Sequence, residues 1–477
     1  MTTREVPTLK ANCLNFVELL AQNIALISPT MTAALIVPLM FSNAGSVSWA
    51  AYALGSVMLL FVALNLNQFA KRTTNAGSMY SYASAGLGFG GGALCGWCLV
   101  WSYLFIGLAG TAGFAVFAGK LLEMVHLGVP TIVLFALCLG VSAVLGYKDI
   151  KVSTLVMLGL EGFSCFVILV LCAVVLAQHP APDAAQFDFH DMSLSSLGMG
   201  VVVAVFSLVG FESSTAFGEE SINPLKTIPR SIIWSLLLTG GFFILVSYVE
   251  VLGTRGYSLS LDKIDAPLNV LANSYGVSFL SPLLSLGAMF SFFALASSCM
   301  NAGARVMFAM GRHRFFHSAT SAAHEVHGTP HVSLGVMAAV MFAVVTGSKL
   351  VFGLPVLDQF NYAGTLGAFG FLGAYFLVTI SAPLYVKSRA ELRPKDIALC
   401  VAALALMLIP TVGSVYPVPD GPVRYFPYIF LAYLAVGAGR VLWIRQRAPE
   451  HLSQIRAELI AQHLAETTSG QVQVAHE

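Results

Sequence analysis

The sequence predicts an all-α, polytopic membrane protein with twelve transmembrane helices, and three observations point to it. Hydrophobic residues fill 57% of its 477 positions, only 10% are charged and mean hydropathy is +0.81, against roughly 25% charged residues in a soluble domain. The apolar residues come in runs of about 20, the length that crosses about 30 Å of hydrocarbon at about 1.5 Å per helical residue. Alternating ten-residue segments of the outer-membrane barrel type are absent, so the backbone groups must be satisfied within helices. A water-soluble fold is excluded, and the lipid bilayer is the chain's solvent.

Spans are expected near 15–41, 48–69, 88–118, 130–147, 153–178, 194–217, 231–253, 281–310, 331–350, 357–385, 397–413 and 424–443. With the N-terminus inside, 19 of the 24 Lys and Arg residues fall in inside segments. Lys120, Arg255, Lys263, Lys349 and Arg424 fall outside, beside an acidic loop with Asp183, Asp188 and Asp191. The positive-inside rule therefore predicts both termini in the cytoplasm and a cell-membrane location. Residues 1–14 read as a cytoplasmic segment, 15–385 as a ten-helix transport core with halves 15–178 and 194–385, 386–444 as helices eleven and twelve, and 445–477 as a polar cytoplasmic tail. The first apolar stretch is too long for a signal-peptide core and is expected to be retained.

The net charge of +1 carries no nucleic-acid footprint. All eight cysteines lie in or beside apolar runs, and Cys95-Gly-Trp-Cys98 lacks the soluble α/β context of a redox motif, so they read as packing residues. His313, His317, His324, His327 and His331 have no zinc-ligand spacing and read as solvated. Neither a Gly-x-x-x-x-Gly-Lys-[Ser/Thr] loop nor an intramembrane catalytic cluster occurs, which argues against an ATP motor, an enzyme, a bound metal or a cofactor. Oligomeric state is left open.

Two spans carry interruptions, and they are the first of each five-span half. Span one reads Ile27-Ser28-Pro29-Thr30-Met31, where proline removes a backbone donor in mid-membrane. Span six reads Phe206-Ser207-Leu-Val-Gly210-Phe-Glu212, where glycine relaxes the helix beside an acid. Paired breaks point to a midplane binding site in an inverted-repeat transporter. Half-helix N-termini aim N–H groups at an anion and C-termini offer carbonyls to a cation. Amides near Thr30, Met31 and Thr32 would take a carboxylate, and carbonyls near Leu26, Ile27, Phe206 and Ser207 an ammonium.

Three stretches carry a family resemblance: Ala76-Gly-Ser-Met-Tyr80-Ser-Tyr82, Phe206 through Glu219-Glu220-Ser-Ile-Asn223-Pro224 with Ile228-Pro229-Arg230, and Asn301-Ala-Gly-Ala-Arg305 through Arg312. The chain resembles the amino acid-polyamine-organocation permeases, which have the five-plus-five inverted-repeat fold with helices one and six broken. It departs from them at Ser28-Pro29-Thr30, where many members have a glycine-rich break.

The resemblance implies a secondary carrier for an amino acid or small amine, working by alternating access. It makes Glu212 the gating and proton-sensing glutamate and Phe206 an aromatic lid, with Phe290, Phe292, Phe293 and Tyr362 as further lining. Glu161 stands in mid span five, where proton-coupled relatives place a lysine, and a buried carboxylate there can cycle between charged and neutral forms. Ser297 and Ser298 resemble the hydroxyls of a second sodium site, so the coupling ion reads as a proton with sodium as the alternative. An obligate exchanger and a non-transporting receptor or subunit are the competing functions. Glu18 and Glu250 lie near span ends and read as wetted.

Overall fold

The computed structural model describes residues 9–447 except 74–76, 149, 190–193, 265, 417 and 419–420. Arg4, Ala76, Asp191, Arg456 and the tail 448–477 lie outside the described residues. Among the described residues the chain is helical, and eleven stretches are long and apolar enough to cross a membrane. The first of these, Phe16–Ala70, holds two spans separated by a turn at Gly45–Val47, which gives twelve.

Span one starts at a capping box, in which the Asn15 side chain accepts the N–H of Val17 (2.7 Å) and Glu18 (3.4 Å) while Glu18 accepts the N–H of Asn15 (2.7 Å). It runs Phe16–Ile27 and stops at Ser28, whose φ of 53° and ψ of 71° are left-handed. Pro29 then opens Pro29–Met31, followed by a widened π turn Thr32–Ile36 and Val37–Ala44. Proline disfavours the right-handed helical conformation in the residue before it and is well accommodated at the first position of a helix. It therefore ends one half-helix and begins the other, which is a different role from an interior kink.

Span two is Ser48–Ala70 and span three Met79–Met124. At about 1.5 Å per residue a 46-residue helix overshoots the bilayer. Gly88, at φ 72°, divides it into 79–87 and a longer spanning part, 89–124. Spans four and five are Thr131–Lys148 and Ile150–Gln178. Span six runs Leu194–Leu208, turns at Gly210 (φ 99°) and continues as a 3-10 helix Ser213–Phe217. Span seven is Pro224–Gly253, span eight Leu280–Arg312, span nine His331–Phe352 and span ten Val356–Ser388. Span eleven is Pro394–Gly413 and span twelve Phe426–Arg447. A short outer helix, Pro267–Ser274, was not anticipated from hydropathy because it is too short to span.

Spans three, eight and ten form the packed centre. Gly367 lies on Ile106, Gly370 on Ser102 and Gly110 on the backbone of Ala296, each with no room for a Cβ. Small residues let membrane helices approach closely where lipid supplies no hydrophobic drive between them. Leu9 and Arg447 share one face of the bundle, called here the terminal face.

Candidate functional site

Spans one, five and eight meet in a ladder of side-chain layers. The uppermost is polar: Ser28 Oγ lies 2.8 Å from Ser291 Oγ, and Ser291 donates to Glu161 Oε1 at 2.9 Å. Thr30 and Ser164 share a hydroxyl hydrogen bond beside it, and the Thr30 backbone N–H faces the same carboxylate. Met31 and Thr32 donate their N–H groups back to the Ser28 carbonyl at 3.0 and 3.4 Å. Of the three amides expected to face an anion, Thr30 is thus the one turned outward from the helix, and it meets the protein's own acid. Glu161 Oε2 is buried with no hydrogen-bond partner among the described residues.

One turn along, Ala25, Met157 and Ala294 make an apolar layer. Below it Gln22 Nε2 donates to Ser298 Oγ at 2.6 Å, and Ser298 donates to the Gln22 carbonyl at 3.0 Å. Ser297 faces span four, 2.6 Å from Ser142. Ser297 is therefore bonded toward span four, while the span-eight contact of Glu161 is made elsewhere. Ser291, which sequence reading missed, is the span-eight hydroxyl that reaches Glu161.

The second break is held from spans one and ten. Asn23 Oδ1 accepts the Ser214 N–H (2.6 Å) and the Ser213 hydroxyl (3.1 Å), so an amide in span one caps the 3-10 helix of span six. Tyr375 donates to Glu212 Oε2 at 2.6 Å and accepts the Gly210 N–H at 3.3 Å. Glu212 is fully buried, and its Oε1 has no partner among the described residues. Leu26 packs directly on Gly210, where a Cβ would overlap its side chain. The Ser207 hydroxyl donates to the Val203 carbonyl (3.0 Å) of its own helix.

A cavity of about 530 Å³ opens toward the face opposite the termini, lined by Ile36, Leu39, Phe206, Val209, Phe360 and Asn361 among others. Phe206 lies at its wall with its ring on Gly364. Ser28, Thr30 and Gly210 are not among its lining residues, so this cavity leads toward the breaks without reaching them. Tyr362 is not part of this group, because its ring packs edge-on against Phe426 of span twelve. Phe292 is buried between Phe117 and Phe360, and Phe290 packs on Phe163.

At the terminal face the ends of spans six and eight are tied together. Glu220, just after span six, holds Arg305 of span eight through a two-pronged ion pair that is buried on both sides. The guanidinium also sits 4.3 Å over the Phe217 ring and donates to the Asn301 carbonyl at 3.0 Å. The Glu220 carbonyl accepts the N–H groups of Cys13 (2.8 Å) and Leu14 (3.0 Å), and Ile222 donates to the Leu14 carbonyl (2.7 Å). The N-terminal segment is stitched over the end of span six.

Two acids read as wetted are buried. Glu18 is taken up by its capping box and lies 3.8 Å from Lys151. Glu250 is 1% exposed, with neither oxygen partnered among the described residues. The histidines also differ from a solvated cluster: His313 bonds Tyr80, and His324 stacks with His327 beside Tyr147.

Broken spans one and six, each with a buried acid at its break, in a twelve-span bundle define a membrane transporter of the inverted-repeat class. The Amino acid permease family model matches residues 19–436, and the chain belongs to that family. Relatives include the branched-chain amino acid permease BcaP of Lactococcus lactis subsp. cremoris, 29% identical over 68% of this chain and 73% of that protein. BcaP of Bacillus subtilis is 25% identical over 69% and 72%, and mouse cationic amino acid transporter 4 is 26% identical over 70% of this chain and 54% of the relative. The crystal structure of an Eremococcus coleocola manganese transporter shares the fold at a TM-score of 0.58 and 12% identity, covering 95% of this chain and 99% of that one.

Pro29→Ala is expected to let Ser28 relax to the right-handed helical conformation, which is favoured over the left-handed one by about 1–2 kcal/mol. The two half-helices would merge and Thr30 would withdraw from Glu161. The measurement is the thermal shift given by a substrate; a shift equal to wild type would detach the span-one break from binding.

Proposed function

We propose that this permease is a proton-coupled secondary transporter for an amino acid or small amine, cytoplasmic at its terminal face and closed there in this conformation. The observation that carries the reading is Glu161 at the span-one break, facing the free amide of Thr30 with one oxygen unpartnered. While the carboxylate is charged it competes for the N–H that a substrate carboxylate needs. Taking up a proton removes that competition, so proton and substrate bind together, which is the thermodynamic content of symport. An amine would use the same acid directly, as its counter-ion. The apolar layer of Ala25, Met157 and Ala294 offers a hard cation no oxygen side chains, which favours the proton over sodium.

Spans one and six, joined by Asn23 and by Leu26 on Gly210, form a unit able to move against spans three, eight and ten. The test is uptake of labelled amino acids and amines into liposomes under imposed gradients. An inward proton gradient is expected to drive accumulation and an inward sodium gradient at equal pH to be silent; Glu161→Gln is expected to bind substrate and lose the proton dependence. Sodium-driven accumulation would overturn the coupling assignment, and retained proton dependence in Glu161→Gln the residue assignment.

A further inference from the structure

His324 lies in the connection between spans eight and nine with both ring nitrogens engaged. Its Nδ1 accepts the backbone N–H of Val326 and of His327, each at 3.2 Å, and its Nε2 is 2.8 Å from the Tyr147 hydroxyl at the end of span four. A nitrogen that accepts two N–H bonds carries no proton, so this geometry selects the neutral ring protonated on Nε2. The turn it organises is closed by His324 N–H to the Thr329 carbonyl and Gly328 N–H to the His324 carbonyl, both 2.9 Å. Thr329 in turn donates to the Tyr147 carbonyl at 2.9 Å.

From this turn a continuous set of contacts reaches the closed end of the pathway. Lys10 donates its N–H to the Gly328 carbonyl at 3.1 Å, and Leu9 is buried with Phe308 and Ala323. Four residues on, Cys13 and Leu14 bond the carbonyl of Glu220, whose side chain grips Arg305. We propose that His324 is a proton sensor on the terminal face: protonation of its ring opens the 324–329 turn, frees the segment 9–14 and loosens the seal at Glu220.

The chemistry is that imidazolium has two donors and no acceptor, so a proton on Nδ1 points at two N–H groups and both bonds are lost. Histidine is the side chain best suited to change charge in the physiological range. Among the described residues the titratable groups around it are Tyr147 from span four, His327 stacked at 4.8 Å and Glu325 on the same turn, and His331 at 5.4 Å from the head of span nine. Lys10 meets the turn through its backbone.

The test is amide hydrogen exchange of the full chain in nanodiscs, with protection corrected for the intrinsic rate at each pH. In wild type, protection of segments 9–14 and 324–329 is expected to fall about tenfold between about pH 8 and about pH 6. His324→Asn, whose side-chain oxygen accepts the two N–H bonds without titrating, is expected to stay protected at both. His324→Arg is expected to be unprotected at both, and if that variant does not fold, the comparison of wild type with His324→Asn decides alone. Protection that does not change with pH in wild type, or that still falls in His324→Asn, overturns the proposal.

Discussion

Arg305→Ala is expected to abolish uptake and to lower stability by about 3–5 kcal/mol, the usual cost of leaving one charge of a buried pair without its partner. Glu220 is fully buried, and its carboxylate has Arg305 as its ion-pair partner, while its backbone carbonyl is already committed to Cys13 and Leu14. Losing the guanidinium strands the acid and also removes the cation that sits over Phe217. Stability alone would not identify a gate, so a paired replacement is needed. Arg305→Met with Glu220→Leu exchanges the ion pair for apolar groups of similar volume and is expected to regain most of the stability, as such replacements often do. Uptake is expected to remain lost in the pair, because an apolar contact does not offer water the two charges that make separation reversible. Denaturant unfolding and liposome uptake measured on the same preparations decide it. Wild-type uptake in the paired variant would leave Arg305 and Glu220 as structural residues and the terminal face without this latch.

The spans were legible because a run of about 20 apolar residues has few other fates, and the breaks because Pro29 and Gly210 act on their own backbone. Gly88 was hidden by its neighbours: in Gly86-Leu-Gly88-Phe-Gly90-Gly91-Gly92 composition does not say which glycine turns. Ser291 was passed over in favour of Ser297 and Ser298 for a geometric reason. Ser298 lies two turns, about 10 Å, along the same helix face as Ser291, so periodicity names the face and not the depth. Depth is fixed by the ladder of span one, where Ser28, Ala25 and Gln22 meet Ser291, Ala294 and Ser298 in order. Contacts between residues far apart in the chain, such as Tyr375 on Glu212 or Arg305 on Glu220, carry no local signal at all. Glu250 was read as wetted because it is three residues from a span end, yet the unforeseen outer helix sets Leu271 against Gly253 and thickens the bundle there.

Glu212→Gln is expected to leave substrate binding in place and to remove proton-driven accumulation. The amide keeps an oxygen for the Tyr375 hydroxyl, so the span-six turn and the bond from Gly210 to Tyr375 should survive. What changes is the second oxygen, which has no partner among the described residues and which the proposed coupling uses as its proton acceptor. A glutamine fixes that position as an uncharged donor at every pH. Since the turn joins a span-six half-helix bound to Asn23 with the central span ten, a change of charge there is expected to alter how strongly the proposed mobile unit is held. With the charge removed permanently, the two orientations should interconvert without regard to pH. Substrate counterflow, which needs only reorientation of the loaded carrier, is therefore expected to persist, whereas uphill uptake under a proton gradient is expected to fall to background. The uptake rate should lose the share of its pH dependence that Glu212 carries between about pH 5 and about pH 8, while the shares carried by Glu161 and His324 remain. A thermal shift with substrate confirms that the variant is folded and loaded. If Glu212→Gln keeps the wild-type pH profile and still accumulates substrate, the proton is carried elsewhere, and Glu161 becomes the sole coupling acid of the two breaks.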